Sequence, residues 1–324
     1  MKKKDLIVSI VIPCKKIDTL AKKCIECCLK MNYPNYEVLV LPDYDDDKEI
    51  SDKRVRVIQT EPIKPMAKRF TASSICKGDI CAFIDSDAFP DKNWLKNAFR
   101  YFEDPSVAAV TGPTLTPPDD DTMAKASGLV LASFGSGSET IRYVSHSHVK
   151  YVTETPTCNL VIRRSVLDEV KDFVPEVYPG EEIVLCGRIS KDLRKKIVYD
   201  PQVIVYHHRR RLYLPHLKQI WSYGKIKGKL LRSCSRYIRP IFILPSLLVI
   251  GLLAGFFLAV INPIIRALYV SAVIAYAFLS ALSATMICMR EKNLKLALPV
   301  FVGIIATHIT YGLAFLKGLV SPRG

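Results

Sequence analysis

Asp85 and Asp87 stand one residue apart at the end of an apolar run, residues 80–84, which Gly78-Asp79 precedes and Pro90 follows. Hard cations such as Mg²⁺ and Mn²⁺ take carboxylate oxygens as ligands, usually beside substrate phosphates. A short apolar run between turn residues reads as a buried strand of a parallel sheet. In open α/β sheets ligands bind beyond the carboxyl ends of the strands, so this pair is placed to hold a metal-diphosphate. Alone the motif is common, and turn acids or helix caps account for most examples. Other residues add to it. Asp43 falls just past a second apolar run, 36–41, and Arg69 lies on a predicted helix between the two runs. Glu181 and Glu182 follow Gly180 at the start of another predicted helix. Carboxylates there complement the helix dipole, and they can also supply a general base. His146 and His148 alternate and could face one way. Cys24, Cys27 and Cys28 have no second Cys or His pair at zinc spacing, and read as a helix face.

These side chains need a frame. Strands are predicted at 6–12, 36–41, 55–58, 80–84 and 107–111, and helices at 17–31, 65–77 and 90–102. Strand and helix alternate with short connections, which argues for an α/β fold with helices on both faces of a parallel sheet. Asp43, Asp85 and Asp87 then share one edge. Neither a Gly-x-Gly-x-x-Gly nor a P-loop is present, which disfavours a dinucleotide fold or an ATPase. Residues 117–150, rich in Gly, Ser and Pro, read as a flexible insertion over the site, with Asp119-Asp120-Asp121 as a solvated turn. Beyond it a strand at 157–164 runs into a helix at 165–170, and a further helix covers 183–191.

No acid occurs between Asp200 and Glu291, and that region carries most of the +15 net charge. Strong positive charge points to nucleic acid or to an anionic membrane surface. Three apolar runs, 241–261, 267–289 and 296–316, beside the basic stretch favour the membrane over a nucleic-acid partner. At about 1.5 Å per residue each covers roughly 30 Å of hydrocarbon. Arg232, Arg236 and Arg239 precede the first run, and Arg290, Lys292 and Lys295 separate the second from the third. The positive-inside rule then predicts an integral protein of the cell membrane with residues 1–239 cytoplasmic and the tail outside. Within 212–239, Leu, Ile and Trp interleave with Lys and Arg, a pattern of basic interfacial helices. The apolar run at 6–12 is too short for a signal peptide, and the ten cysteines are expected to be reduced.

The whole pattern resembles the inverting family 2 glycosyltransferases of the GT-A fold. It is carried by Ser9-Ile10-Val11-Ile12-Pro13, Val38-Leu39-Val40-Leu41-Pro42-Asp43 and Phe83-Ile84-Asp85-Ser86-Asp87 with Asn93-Trp94-Leu95. Asn159-Leu160-Val161-Ile162-Arg163-Arg164, Gly180-Glu181-Glu182 and Val205-Tyr206-His207 complete it, so that residues 6–225 are covered. His308-Ile309-Thr310-Tyr311-Gly312 in the last apolar run is similar to membrane-anchored members that build lipid-linked or exported polysaccharide.

The resemblance implies a GT-A catalytic domain at 1–211, interfacial helices at 212–239 and three membrane helices at 240–318. It implies that Pro13, Asp43 and Arg69 bind the donor, with Asp43 at the nucleobase, and that Asp85 meets ribose or diphosphate. Asp87, with Asp85, would hold Mn²⁺ or Mg²⁺, and His207 would lie near the donor phosphates or the metal. Glu182 matches the catalytic base, with Glu181 as the alternative. The implied donor is a nucleotide-sugar, a UDP-sugar first and a GDP-sugar second. The implied acceptor is a polyprenyl- or dolichyl-linked lipid in the bilayer, its phosphate held by Arg209 or Arg211. The processive motif Gln-x-x-Arg-Trp survives only as Gln219-Ile220-Trp221, which favours addition of a single sugar. Two other readings stay open: a polyprenyl-phosphate hexose synthase whose acceptor is the lipid phosphate itself, and a non-catalytic membrane scaffold.

Overall fold

The computed structural model describes residues 6–44, 50–133, 140–144, 148–171 and 180–321. His146 and the Gly-Ser stretch 135–138 lie outside these. The chain divides into two compact units, residues 1–117 with 144–208, and residues 118–143 with 209–324.

The first unit follows the predicted alternation. β1 (Val8–Pro13) leads through α1 (Thr19–Leu29) to β2 (Tyr36–Leu41), β3 (Val55–Val57), α2 (Pro65–Ile75), β4 (Ile80–Phe83), β5 (Ala88–Pro90), α3 (Trp94–Phe99), β6 (Val107–Thr111) and β7 (Thr114–Leu115). The chain then enters the second unit with α4 (Thr122–Ala132) and α5 (Thr140–Tyr143). It returns for β8 (Lys150–Val152), β9 (Leu160–Arg163), α6 (Arg164–Val170), α7 (Glu181–Gly187), β10 (Lys196–Tyr199) and β11 (Val205–His207).

The large sheet has the order β3-β2-β1-β4-β9-β6-β10-β8. It is mostly parallel, with β9 antiparallel to both β4 and β6, and β8 antiparallel to β10. β1 lies parallel between β2 and β4, so all three deliver their carboxyl ends to one edge. Successive side chains of β1 enter opposite layers. Ile10 and Ile12 pack with Cys24, Cys28, Trp94 and Leu95 from α1 and α3. Val11 packs with Met66, Val166, Leu167 and Leu185 from α2, α6 and α7. Burial on both faces is why these strands read as unbroken apolar runs. Cys24 and Cys28 are the buried face of α1, as the spacing predicted, and none of the ten cysteines forms a disulfide.

A second sheet, β5-β11-β7, corrects one expectation. Residues 90–102 are not one helix: Pro90 ends β5, paired with Val205 of β11, and the helix starts only at Trp94. Asp91 sets that start, accepting from the Asn93 amide at 2.8 Å through its side chain and from the Trp94 amide at 2.9 Å through its carbonyl. The tail of the expected helix is a 3-10 turn, Arg100–Glu103.

In the second unit, α8 (Leu214–Ser233) is one continuous helix, followed by 3-10 turns at Ser235–Tyr237 and Pro240–Ile243. α9 (Leu244–Ile261), α10 (Pro263–Arg290) and α11 (Ala297–Val320) complete it. Three helical stretches, Pro240–Ile261, Pro263–Arg290 and Leu294–Val320, are long and apolar enough to cross a membrane. α4 is an ordered helix of this unit, capped by Asp121, which accepts from the Met123 and Ala124 amides. The insertion expected to be flexible is therefore helical over Thr122–Ala132, and Ala126 and Val130 join Leu212, Ala284, Ile287, Val300 and Ile304 in a common core. α8 and α11 pack backbone to backbone. A Cβ on Gly228 would stand 2.1 Å from the Phe315 carbonyl oxygen, and one on Gly318 would stand 1.9 Å from that of Lys225. Small residues one turn apart allow this approach.

Candidate active site

The site grows from the edge where β1, β2 and β4 end. Two successive cations of α2 are buried beneath it: Lys68 and Arg69 are each 2% exposed. The Lys68 ammonium donates to the carbonyls of Cys14 at 2.6 Å and Leu41 at 2.9 Å, and to the carboxylate of Asp43. One cation thus ties the ends of β1 and β2 to the first acid. Pro13 is the last residue of β1, paired with Leu41. Arg69 donates from Nη2 to Asp85 Oδ1 at 2.5 Å, with its guanidinium 5.6 Å from the centroid of the Phe83 ring. Its Nε is buried with no hydrogen-bond partner among the described residues. A buried orphan donor beside a carboxylate is costly unless a ligand completes it.

Asp85 and Asp87 meet His207. One ligating atom from each lies within 4.8 Å of the other two. β11 brings the histidine there, because its pairing with β5 sets His207 opposite Ala88, the residue after Asp87. Nε2 of His207 is 3.1 Å from Asp87 Oδ1, and the His208 amide donates to the Asp87 carbonyl. Phe89 stacks on Tyr206 with centroids 5.3 Å apart, fixing the pairing from the opposite side. Two carboxylates and an imidazole form a donor set that Mn²⁺ fits well, while Mg²⁺ prefers oxygen alone.

Gly180, at φ 126°, opens α7 in a conformation that side chains disfavour. The turn carries Glu181 inward, 4% exposed, where its Oε2 accepts from the Gly180 amide at 3.0 Å. Burial, reinforced by the neighbouring Glu182 charge, pushes the Glu181 carboxyl up to about 7, and Arg69 pulls it partly back. Glu182 is less buried.

Trp94 and Asn159, singled out from the sequence, form the framework beneath the site. Trp94 Nε1 donates to Asn159 Oδ1 at 2.8 Å, and the Asn159 amide donates to the carbonyls of Pro113 and Val203. Arg163 binds carbonyls of Phe102, Asp104 and Val107. Arg209 and Arg211 belong to the second unit. There the Arg209 amide donates to Asp120, its guanidinium lies over the Tyr143 ring, and Arg211 pairs with Asp121 across an exposed 3.4 Å contact.

The structure therefore gathers Asp85, Asp87 and His207 in one cluster, joins Arg69 to it, and sets Asp43 on the same strand edge. Lys68 is the residue that sequence reasoning left without a role. The available signal was two adjacent cations on a helix that a doubly covered sheet must bury.

A family model described as Glycosyltransferase like family 2 matches residues 5–220. A pre-mycofactocin glycosyltransferase of Mycobacterium tuberculosis is 30% identical over 149 residues, 46% of this chain and 31% of that protein. The matched part thus spans about a third of that relative's length. A Methanococcus voltae protein, the dolichyl N-acetyl-alpha-D-glucosaminyl phosphate 3-beta-D-2,3-diacetamido-2,3-dideoxy-beta-D-glucuronosyltransferase, is 21% identical over 97% of each chain. Among solved structures, the mannosyltransferase PcManGT from Pyrobaculum calidifontis, in complex with GDP-Man and Mn²⁺, superposes with a TM-score of 0.55. It is 17% identical and covers 97% of this chain and 87% of its own, a likeness of fold.

Proposed function

This chain belongs to glycosyltransferase family 2, and on that premise we propose that it transfers one sugar from a nucleotide-sugar to a lipid-linked saccharide, with inversion at the anomeric carbon. The observation that carries the reading is the convergence of Asp85, Asp87 and His207 at the carboxyl edge of the sheet, beside the buried Arg69. The name of the Methanococcus relative supports a dolichyl-linked acceptor, and the ligands of the Pyrobaculum structure support a nucleotide-sugar with a divalent cation. A UDP-sugar is the first choice of donor and a GDP-sugar the second.

Asp43, fixed by Lys68, faces the nucleobase at the end of β1 near Pro13, and Asp85, fixed by Arg69, binds ribose or diphosphate. Asp85, Asp87 and His207 would hold Mn²⁺ or Mg²⁺. When bound, the cation neutralises charge that builds on the departing nucleoside diphosphate. Glu182 takes the proton from the acceptor hydroxyl as that oxygen attacks the anomeric carbon from the face opposite the leaving group. The bond to the diphosphate oxygen breaks as the new glycosidic bond forms, so no sugar-enzyme bond is made. Burial lets Glu181 keep its proton to about pH 7. Arg209 or Arg211 holds the phosphate of the acceptor lipid. The cations that precede the first apolar helix support a catalytic unit on the cytoplasmic face of the cell membrane.

The test offers a panel of nucleotide-sugars to the full chain in detergent, with native lipid extract, and weighs the lipid products. A lipid-linked saccharide longer by one sugar is expected. A single sugar released from lipid phosphate by mild acid would instead identify the lipid phosphate as acceptor. No cation-dependent product from any donor would overturn the enzyme assignment.

A further inference from the structure

Although three helices are long enough to cross a bilayer, the packing of the second unit separates one from the other two. α8 lies beside α11, parallel to it, from end to end. Tyr213 reaches the Pro299 carbonyl, His216 Nε2 is 2.9 Å from Thr307 Oγ1, Gly224 and Gly228 face Tyr311 to Leu319, and Arg232 donates to the carbonyls of Leu319 and Ser321. Any path that takes α11 through hydrocarbon takes α8 with it. Yet α8 carries Lys218, Lys225 and Arg232 exposed, Lys229 half-buried, and no acid to pair them. Lys225 lies near the middle of the helix, too far from either end to reach water easily. Unpaired cations facing lipid at such depth are rare because their cost is high.

The exposed apolar surface agrees. α9 exposes Phe256, Phe257 and Leu258 in succession, so lipid can surround it. On α11 the large exposed apolar residues are Leu298, Val302, Leu313 and Val320, which at 3.6 residues per turn fall within about 60° of arc. A single stripe suits a helix lying in an interface. α11 also meets the α9–α10 hairpin at its base. Gly312 packs on Pro245 and Val249 in the first turns of α9, and His308 pairs with Tyr276 midway along α10. Nearer the tip, α9 and α10 pack on each other, with Gly255 against Tyr269 and the Tyr269 hydroxyl on the Leu252 carbonyl.

We infer that only α9 and α10 cross the membrane, while α8 and α11 lie together along its surface, the cationic face of α8 on anionic headgroups and the apolar stripe of α11 in the acyl boundary. Two crossings return the chain to its starting side, so the residues after α11 share a side with those before α9, where three crossings would part them. Charge agrees: of the cations between Lys218 and Lys317, only Arg266 falls at the hairpin tip, and the others stay on one side.

Reporters fused to the full chain test this. A fluorescent protein that folds only in cytoplasm and a phosphatase active only outside are each placed before Met1, at Asn262 and after Ser321. The inference predicts one side for the two terminal fusions and the other for Asn262; a fusion after Ser321 that reports with Asn262 overturns it. A native probe gives a second readout that does not depend on fusions. The chain has two tryptophans; Trp94 is fully buried, whereas Trp221 is 40% exposed near the middle of α8. In vesicles with brominated lipids, Trp221 should be quenched at least twofold more by bromine near the headgroups than by bromine near the chain ends. Stronger quenching by the deep bromine would place α8 in the hydrocarbon and sink the idea.

Discussion

Two adjacent side chains of one helix, Lys68 and Arg69, each hold an acid of the site, Asp43 and Asp85. Replacing Lys68 by Met keeps the volume but leaves Asp43 and two strand-end carbonyls without their donor. A buried pair broken from one side costs about 3 kcal/mol or more, so K68M should lower the melting temperature and weaken nucleotide binding. Unchanged melting would show that Asp43 does not need this partner. The glutamate pair divides in the same way. E182Q should reduce transfer by about 100-fold or more while donor affinity holds, and substantial turnover would reject Glu182 as the base. Glu181 makes a different prediction. Its folded carboxyl is raised from 4.5 to about 7, so the unfolded chain releases this proton first as pH rises. The folded state then binds more protons across that window, and stability falls from pH 4.5 toward 7, by on the order of 3 kcal/mol. E181Q should flatten that slope in melting curves of the purified protein; an unchanged slope would assign it to other groups.

At the scale of elements, what was legible in the sequence was what has a local cause. β2 and β6 match their predicted bounds because both faces are covered and Pro or Gly stops each run. Asp43, Asp85 and Asp87 could be placed on one edge because each follows such a strand. What could not be read depends on partners distant in the chain. β5 exists only through β11, more than a hundred residues later, and reads locally as the start of a helix. Likewise His207 joins the acids through that pairing, and its role was implied by resemblance, not by spacing. α8 looked amphipathic and lipid-facing because Gly224 and Gly228 carry no side chain to signal a neighbour, although they are where α11 packs. G228L should therefore force the two helices apart and cost about 3 kcal/mol. G251L is the control: a Cβ at Gly251 meets nothing within 4 Å, and its melting should stay near the parent's. Equal effects would mean that the α8–α11 contact contributes little.

At the scale of the molecule, the first unit holds the acids of the candidate site and the second holds the apolar helices, and the proposed reaction needs both: a soluble donor for one and a lipid acceptor for the other. The chain divides these tasks unevenly, since the acid-free region from 201 to 290 falls almost wholly in the second unit. Its positive surface suits anionic lipid, while acidic ligands for a cation are kept in the first. The central claim is that Asp85, Asp87 and His207 bind a nucleotide diphosphate through a divalent cation. The measurement that bears on it most directly is calorimetric titration of UDP and GDP into the full chain, with Mn²⁺ and with EDTA, for the parent and D87N. The account predicts that the parent binds one of the two nucleotides at least tenfold more tightly with Mn²⁺, and that D87N loses that gain. Equal affinity in Mn²⁺ and EDTA, or a gain that D87N retains in full, would contradict it.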